Sequence, residues 1–174
     1  MRALSFALGF VALSATSTLA DPLVVTATHE NTIGVDGAVV VPVGNYANVA
    51  TVGVGALARI EVPAGAGFFT GRAGVIAHAS RVDSMLTLVP LYAGYRLPLG
   101  TSGAYLAGEL GLTVGFATVD TPFGRMSASD TELGLTLGGG LKRGALDLRA
   151  GLFAPDVNNA VALIGTVGYD FAAF

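Results

Sequence analysis

The stretch Thr131 to Phe153 decides the fold. In its first arm Leu133, Leu135, Leu137 and Leu141 alternate with Glu132, Gly134, Thr136, Gly138, Gly140 and Lys142. After Arg143-Gly144, Leu146, Leu148, Ala150 and Leu152 alternate with Asp147, Arg149, Gly151 and Phe153. Successive side chains of a strand point to opposite faces, so each arm carries one apolar face and one small or charged face. Two such arms joined at Arg143-Gly144 read as a hairpin.

The same rhythm extends through the rest of the chain and predicts eight strands. The first runs from Ile33 to Val41, with Asp36 on its polar face and Pro42 to Asn45 closing it. The second covers Thr51 to Val62, with Val52, Val54, Ala56, Ala58, Ile60 and Val62 opposite Gly53, Gly55, Leu57, Arg59 and Glu61. Phe68 to Ala79, Met85 to Leu97 and Ala104 to Thr118 are the third, fourth and fifth. The hairpin arms are the sixth and seventh, and Val161 to Phe171 is the eighth. Turns near 63–67, 98–103 and 143–144 are short, whereas 80–84, 119–130 and 154–160 are polar loops carrying Asp83, Asp120, Asp130 and Asp156. Short turns at one end and longer loops at the other, between strands long enough to cross a bilayer, match a transmembrane barrel. Pro90 sits within the fourth strand and removes a ladder donor, so a bulge or irregularity is expected there.

Composition decides which face meets water. Only 12% of the 174 residues are charged while 52% are hydrophobic, against about 25% charge in soluble domains. The mean hydropathy is +0.67. Glycine and threonine form a poor solvent surface for a soluble barrel, because glycine weakens a strand and shields nothing. Inverted, the pattern fits: small residues and paired charges fill a narrow interior, and leucine and valine face lipid. The inward parity collects Asp36, Arg59, Glu61, Arg72, Arg96, Glu109, Glu132, Lys142, Asp147, Arg149 and Asp170. Counted from the short turns, most stand at similar depth: Arg59 and Glu61 beside Arg72, Arg96 beside Glu109, Lys142 beside Asp147, and Arg149 beside Asp170. A network of this kind satisfies charges that would be costly alone, so the expectation is a plugged barrel and not an open pore.

The N-terminus reads Met1-Arg2, an apolar run from Ala3 to Leu13, and Thr18-Leu19-Ala20 before Asp21-Pro22. This predicts a secretory signal peptide over residues 1–20, cleaved after Ala20, and a single barrel domain over 21–174. Beyond it, no run of 18 or more apolar residues lacks charges or breakers, which disfavours a helical membrane protein. The chain has no cysteine, which excludes a disulfide framework, thiol catalysis and a lipoprotein-type anchor. The net charge is −3 and the basic residues are dispersed, so nucleic acid is not an expected partner.

With these features the chain resembles the small outer-membrane β-barrel family, OmpA/OmpX-like. The resemblance rests on Val41-Pro42-Val43-Gly44-Asn45, Thr70-Gly71-Arg72-Ala73-Gly74, Pro90 to Arg96, Glu109-Leu110-Gly111-Leu112 and Leu146 to Phe153. It implies an all-β, eight-stranded antiparallel up-and-down barrel in the bacterial outer membrane, with a periplasmic C-terminus and no single activity. It also implies contact with outer-membrane lipid and lipopolysaccharide, and with the barrel assembly machinery during biogenesis. The expected oligomeric state is a monomer. Val167, Tyr169 and Phe171 fall on the lipid face, an aromatic ending at the membrane boundary. A terminal aromatic resembles the barrel assembly signal, with the tail Ala172-Ala173-Phe174 as a departure.

Catalysis has one candidate, His78-Ala79-Ser80, which resembles the His-x-Ser of lipid A deacylases of barrel fold. The following strand offers no outward acid and parity turns His78 inward, so the orienting third group is missing. The loop acids have no cation-binding spacing. Gly138-Gly139-Gly140 lies within a strand and is not followed by a phosphate-loop signature. No catalytic residue, metal or cofactor is therefore assigned. The expected function is structural or surface-interactive, with a narrow channel for small solutes or ions as the alternative and a lipid A-modifying enzyme after it.

Overall fold

A computed structural model describes residues 30–80, 84–121 and 124–174. The expected leader and the loop acid Asp83 lie outside the described residues, as do the side chains of Ser80 and Asp120. Eight antiparallel strands close into one barrel in chain order, with β8 pairing back to β1. They are β1 Thr32–Val43, β2 Ala50–Ala64, β3 Gly67–Ser80, β4 Ser84–Pro98, β5 Ala104–Thr121, β6 Gly124–Arg143, β7 Leu146–Asp156 and β8 Ala160–Ala173, with a one-turn helix α1 Tyr46–Val49 between β1 and β2. Closure leaves no free edge around the barrel wall, and a polar backbone needs that in hydrocarbon. Gly65 and Gly144 adopt positive φ of 57° and 58° in the tight turns at the end where Asn31 pairs with Phe174, a conformation that side chains resist.

The two faces separate as the alternation demands. Val54, Leu91, Leu106, Leu137, Leu148 and Val167 stand about half exposed on the outside with no protein covering them. Arg59, Glu61, Glu109 and Asp36 are at most 2% exposed on the inside. A soluble protein could not sustain this inversion, because an apolar exterior of such extent needs hydrocarbon around it.

Several boundaries differ from those read in the sequence. Residues 119–130, expected as the longest loop, belong largely to an extended β5–β6 hairpin that pairs from Ala104↔Leu141 to Thr121↔Gly124. Serine, threonine and aspartate read as loop, yet a hairpin above the lipid can be polar on both faces while its backbone pairs. Likewise β7 runs on to Asp156 and β8 starts at Ala160, with a register shift between Phe153 and Asp156. The tail is not an appendage: Ala172 and Ala173 pair with Ile33 and Thr32, and the extra residue at the irregularity is Phe171. At Pro90 the structure shows a gap in place of a bulge. The β3–β4 ladder passes from Ala73↔Leu91 to Ile76↔Leu88 without a register shift, and β4 stays paired to β5 through Pro90↔Thr113.

Candidate functional site

The lumen is filled in layers, beginning at the short-turn end with charge. Every strand contributes: Asp36 from β1, Arg59 and Glu61 from β2, Arg72 from β3, Arg96 from β4, Glu109 from β5, Lys142 from β6, Asp147 and Arg149 from β7, and Asp170 from β8. Arg59 is the hub. It meets Asp36 at 3.4 Å, Glu61 at 3.1 Å and Asp170 at 2.8 Å, and also donates to Asp147. Arg72 bridges Asp36 and Glu109 at 3.3 Å each, and Arg149 reaches Glu109 at 2.8 Å. Arg96 and Lys142 converge on Glu61 at 2.8 and 2.7 Å, and Lys142 continues to Asp170 at 2.5 Å. These ten residues form one connected set with five charges of each sign.

Neutral side chains complete the coordination. Thr70 and Thr136 donate to Glu109 at 3.1 and 2.8 Å, Tyr105 donates to Asp147, and Thr32 donates to Glu61 at 3.3 Å. The Arg96 guanidinium stacks 4.5 Å above the Phe68 ring and 5.1 Å from the Tyr105 ring. Ions removed from water lose several kcal/mol of solvation each, which only such dense pairing offsets. None of these neutral partners is among the site residues expected from the sequence. Thr70, Tyr105 and Thr136 share the inward parity of the charges on their strands, whereas Thr32 lies just outside the first strand as the sequence marks it.

Two features of the charge layer differ from the sequence reading. Partners lie across the lumen more than along neighbouring strands. Lys142 faces Asp147 in register, yet its ammonium goes to Glu61 and Asp170, and Arg149 bonds Glu109 of β5 instead of Asp170. An eight-stranded barrel is narrow enough for long side chains to span it. Glu132, the eleventh expected member, is outside the network. It stands near the far end of β6 beside Asp130 and Asp156, whose charges raise its carboxyl above the ordinary range. Period two specifies the side of the sheet but not the height along the strand, and the β6–β7 ladder begins only at Leu135, below Glu132.

Above the charges lies an apolar layer of Leu57, Ile76, Leu88, Tyr92, Phe153 and Ile164. Tyr92 and Phe153 have ring centroids 6.2 Å apart, and the Tyr92 hydroxyl bonds Thr113 at 2.6 Å. That hydroxyl occupies the space a Cβ at Gly134 would need. Between the two layers remains a void of about 20 Å3 lined by Arg72, Glu109, Arg149, Tyr92 and Phe153, room for about one water. The short-turn end opens into a vestibule of about 850 Å3 above which Arg96, Lys142 and Asp170 close the lumen.

At the opposite end α1 lays Tyr46 into the barrel mouth. His78, 1% exposed, stands under it with Tyr46 Oη 3.1 Å from Nε2 and the Thr51 carbonyl 2.9 Å from Nδ1. Nδ1 therefore carries the proton and Nε2 accepts from the tyrosine hydroxyl. Both ring nitrogens are engaged by neutral groups and no described carboxylate orients the ring. Gly53 packs directly against it. Among the described residues no group of three or more His, Cys, Asp or Glu could hold a metal ion.

No family model and no curated protein matches the sequence. Solved structures do match the fold. The attachment invasion locus protein Ail of Yersinia pestis superposes with a TM-score of 0.59 at 16% identity, over 83% of this chain and 97% of that one. The N-terminal barrel domain of Pseudomonas aeruginosa OprF gives 0.60 at 13% identity, over 80% and 97%. Neisserial surface protein A gives 0.51 at 17% identity, over 79% and 94%. The chain thus has the closed, antiparallel, up-and-down fold of the small eight-stranded outer-membrane β-barrels, the OmpA/OmpX-like architecture that the resemblance implied.

Proposed function

We propose that this protein is a non-enzymatic outer-membrane barrel whose lumen is permanently plugged and whose role is structural or surface-interactive. The observation that carries the reading is the filled interior, with a neutral ten-residue ion network under an apolar layer and about 20 Å3 left between them. A conducting pore needs a continuous polar path, and the apolar layer interrupts it. The fold neighbours include an attachment invasion locus protein and a surface protein by name, which supports a role at the cell surface. One of them has been crystallised with the heparin analogue sucrose octasulfate. The outer end of this chain presents Asp130, Glu132 and Asp156 among its described residues, a charge of the wrong sign for a sulfated polyanion.

Purified protein reconstituted in planar bilayers tests the plug. No unitary conductance is expected, and steady currents abolished by changing Arg149 or Glu109 would establish the narrow channel instead. Membrane fractionation and gels of boiled and unboiled protein test the location and barrel. A water-soluble product without a heat-dependent mobility shift would overturn both. Lipid A from cells carrying wild type or His78→Ala should have the same acyl pattern.

A further inference from the structure

The apolar side chains do not cover the outer wall evenly. Two depressions of about 690 and 470 Å3 share Tyr95, Gly108 and Leu137, and so form one groove across β4, β5 and β6. Gly108 pairs with Tyr95 on one side and Leu137 on the other, so two long side chains wall a residue that has none. Ala93 continues the floor toward the middle of the barrel, and Gly139, opposite Leu106, continues it toward the short-turn end. The Tyr95 wall is held in place. Its hydroxyl donates to the Ala64 carbonyl at 2.7 Å, and its ring meets Phe69 edge-on with centroids 5.6 Å apart.

Arg143 closes the same strand at the short-turn end, exposed and on the outward column with Leu146 as its register partner. Five other described basic residues belong to the lumen network, and Arg125 lies in the hairpin at the far end. Arg143 makes no ion pair among the described residues. The acids of this end are turned away from it, with Glu61, Asp147 and Asp170 engaged in the lumen and Glu30 lining the vestibule. From Leu135, at the inner end of the groove, β6 runs eight residues to Arg143. That is about 26 Å along the strand, or about 20 Å of depth at a tilt near 40°. One leaflet with its headgroups is about 20–22 Å deep. A cation at headgroup level thus stands over a groove that reaches the bilayer midplane.

We propose that this groove holds one anionic phospholipid of the periplasmic leaflet, its phosphate at Arg143 and an acyl chain lying over Gly139, Gly108 and Ala93. Charge selects the headgroup. An unpaired guanidinium attracts a lipid of net negative charge such as phosphatidylglycerol, whereas phosphatidylethanolamine brings an ammonium for which the site offers no carboxylate. Shape retains the chain, because a walled groove gives it contacts on more sides than an evenly covered barrel face. The proposal rests on the outer-membrane reading, which puts the short-turn end in the periplasm.

The test uses the full barrel in nanodiscs of equal phosphatidylglycerol and phosphatidylethanolamine with identical chains, released gently for native mass spectrometry of the lipid that stays bound. One retained lipid is expected, with phosphatidylglycerol favoured about fivefold. Arg143→Gln should bring that ratio to about one, and Ala93→Leu with Gly108→Leu should remove the retained lipid. Gly165→Leu on β8, outside the groove and with nothing within 4 Å of its Cβ position, should leave the lipid in place. Excess glycerol 3-phosphate, a headgroup without chains, should not displace it. No retained lipid, equal retention of both lipids, a preference that survives Arg143→Gln, retention in a filled groove, or displacement by glycerol 3-phosphate would each overturn the proposal. Ala93 already carries a Cβ, so Ala93→Leu alone decides if the pair does not fold. The heat-dependent gel shift of the same samples reports the barrel separately. A shifting barrel without bound lipid counts against the lipid site only, and a chain that neither inserts nor shifts counts against the barrel reading.

Discussion

Replacing Arg59 by methionine isolates the worth of the ion network. The side chain is 1% exposed and faces four carboxylates, but the loss is not four pairs. Asp36 keeps Arg72, Glu61 keeps Arg96 and Lys142, and Asp170 keeps Lys142. Among the described residues only Asp147 is left without a cation, retaining the Tyr105 hydroxyl. One uncompensated buried charge costs about 3–5 kcal/mol, so Arg59→Met should lose that much, and not several times it. Asp147→Asn alone strips Arg59 of one of four partners and should cost about 1–3 kcal/mol. The double variant restores a neutral lumen, so it should be less damaged than the sum of the singles by about 2 kcal/mol. Urea titration in lipid vesicles, with folded fraction read from unboiled gels, measures all three. A loss below about 1 kcal/mol for Arg59→Met, or strict additivity in the double variant, would refute the reasoning that these charges act as one mutually dependent set.

Phe153→Ala should cost about 3–5 kcal/mol by opening a cavity in the apolar layer, yet remain silent in planar bilayers because the charge layer still closes the lumen. Gly94→Ala places a Cβ against the Gly108 carbonyl and the Glu109 backbone, which cannot give way, and should cost about 1–3 kcal/mol. Gly165→Ala meets nothing within 4 Å and should change stability by less than about 0.5 kcal/mol in the same urea assay. Glu132, above the lipid belt, should titrate above the usual glutamate range in carboxyl NMR and move back toward it in Asp130→Asn. Because a raised carboxyl pKa marks an anion disfavoured in the fold, its unfavourable contribution is present at neutral pH and is relieved as pH falls through that value.

Leu133 to Leu141 and Leu146 to Leu152 announced a hairpin with two unlike faces, and repetition of that pattern announced the barrel. The side chains of ten interior charges followed from parity alone, because a strand has only two sides. Glu132 shared the parity yet escaped the network, since the pattern carries no information about where neighbouring strands stop. Pairing partners were also hidden. Lys142 sits opposite Asp147 in register but bonds Glu61 and Asp170, because a long side chain in a narrow lumen chooses by distance across the barrel. The layering of Leu57, Ile76, Leu88 and Phe153 above the charges was unreadable for the same reason. Each appears in its own strand as an isolated inward apolar residue, and only register stacks them at one height.

The sequence by itself determined the period, the strand count and which face turns to lipid. These depend on local alternation and on the scarcity of charge. Only the tertiary structure decided which charges meet, that Tyr46 closes over His78, and that β6 runs on with β5 beyond the point at Leu135 where β7 leaves it. Each of these depends on strand register around a closed barrel, which is set by all eight strands together and so is written in none of them alone.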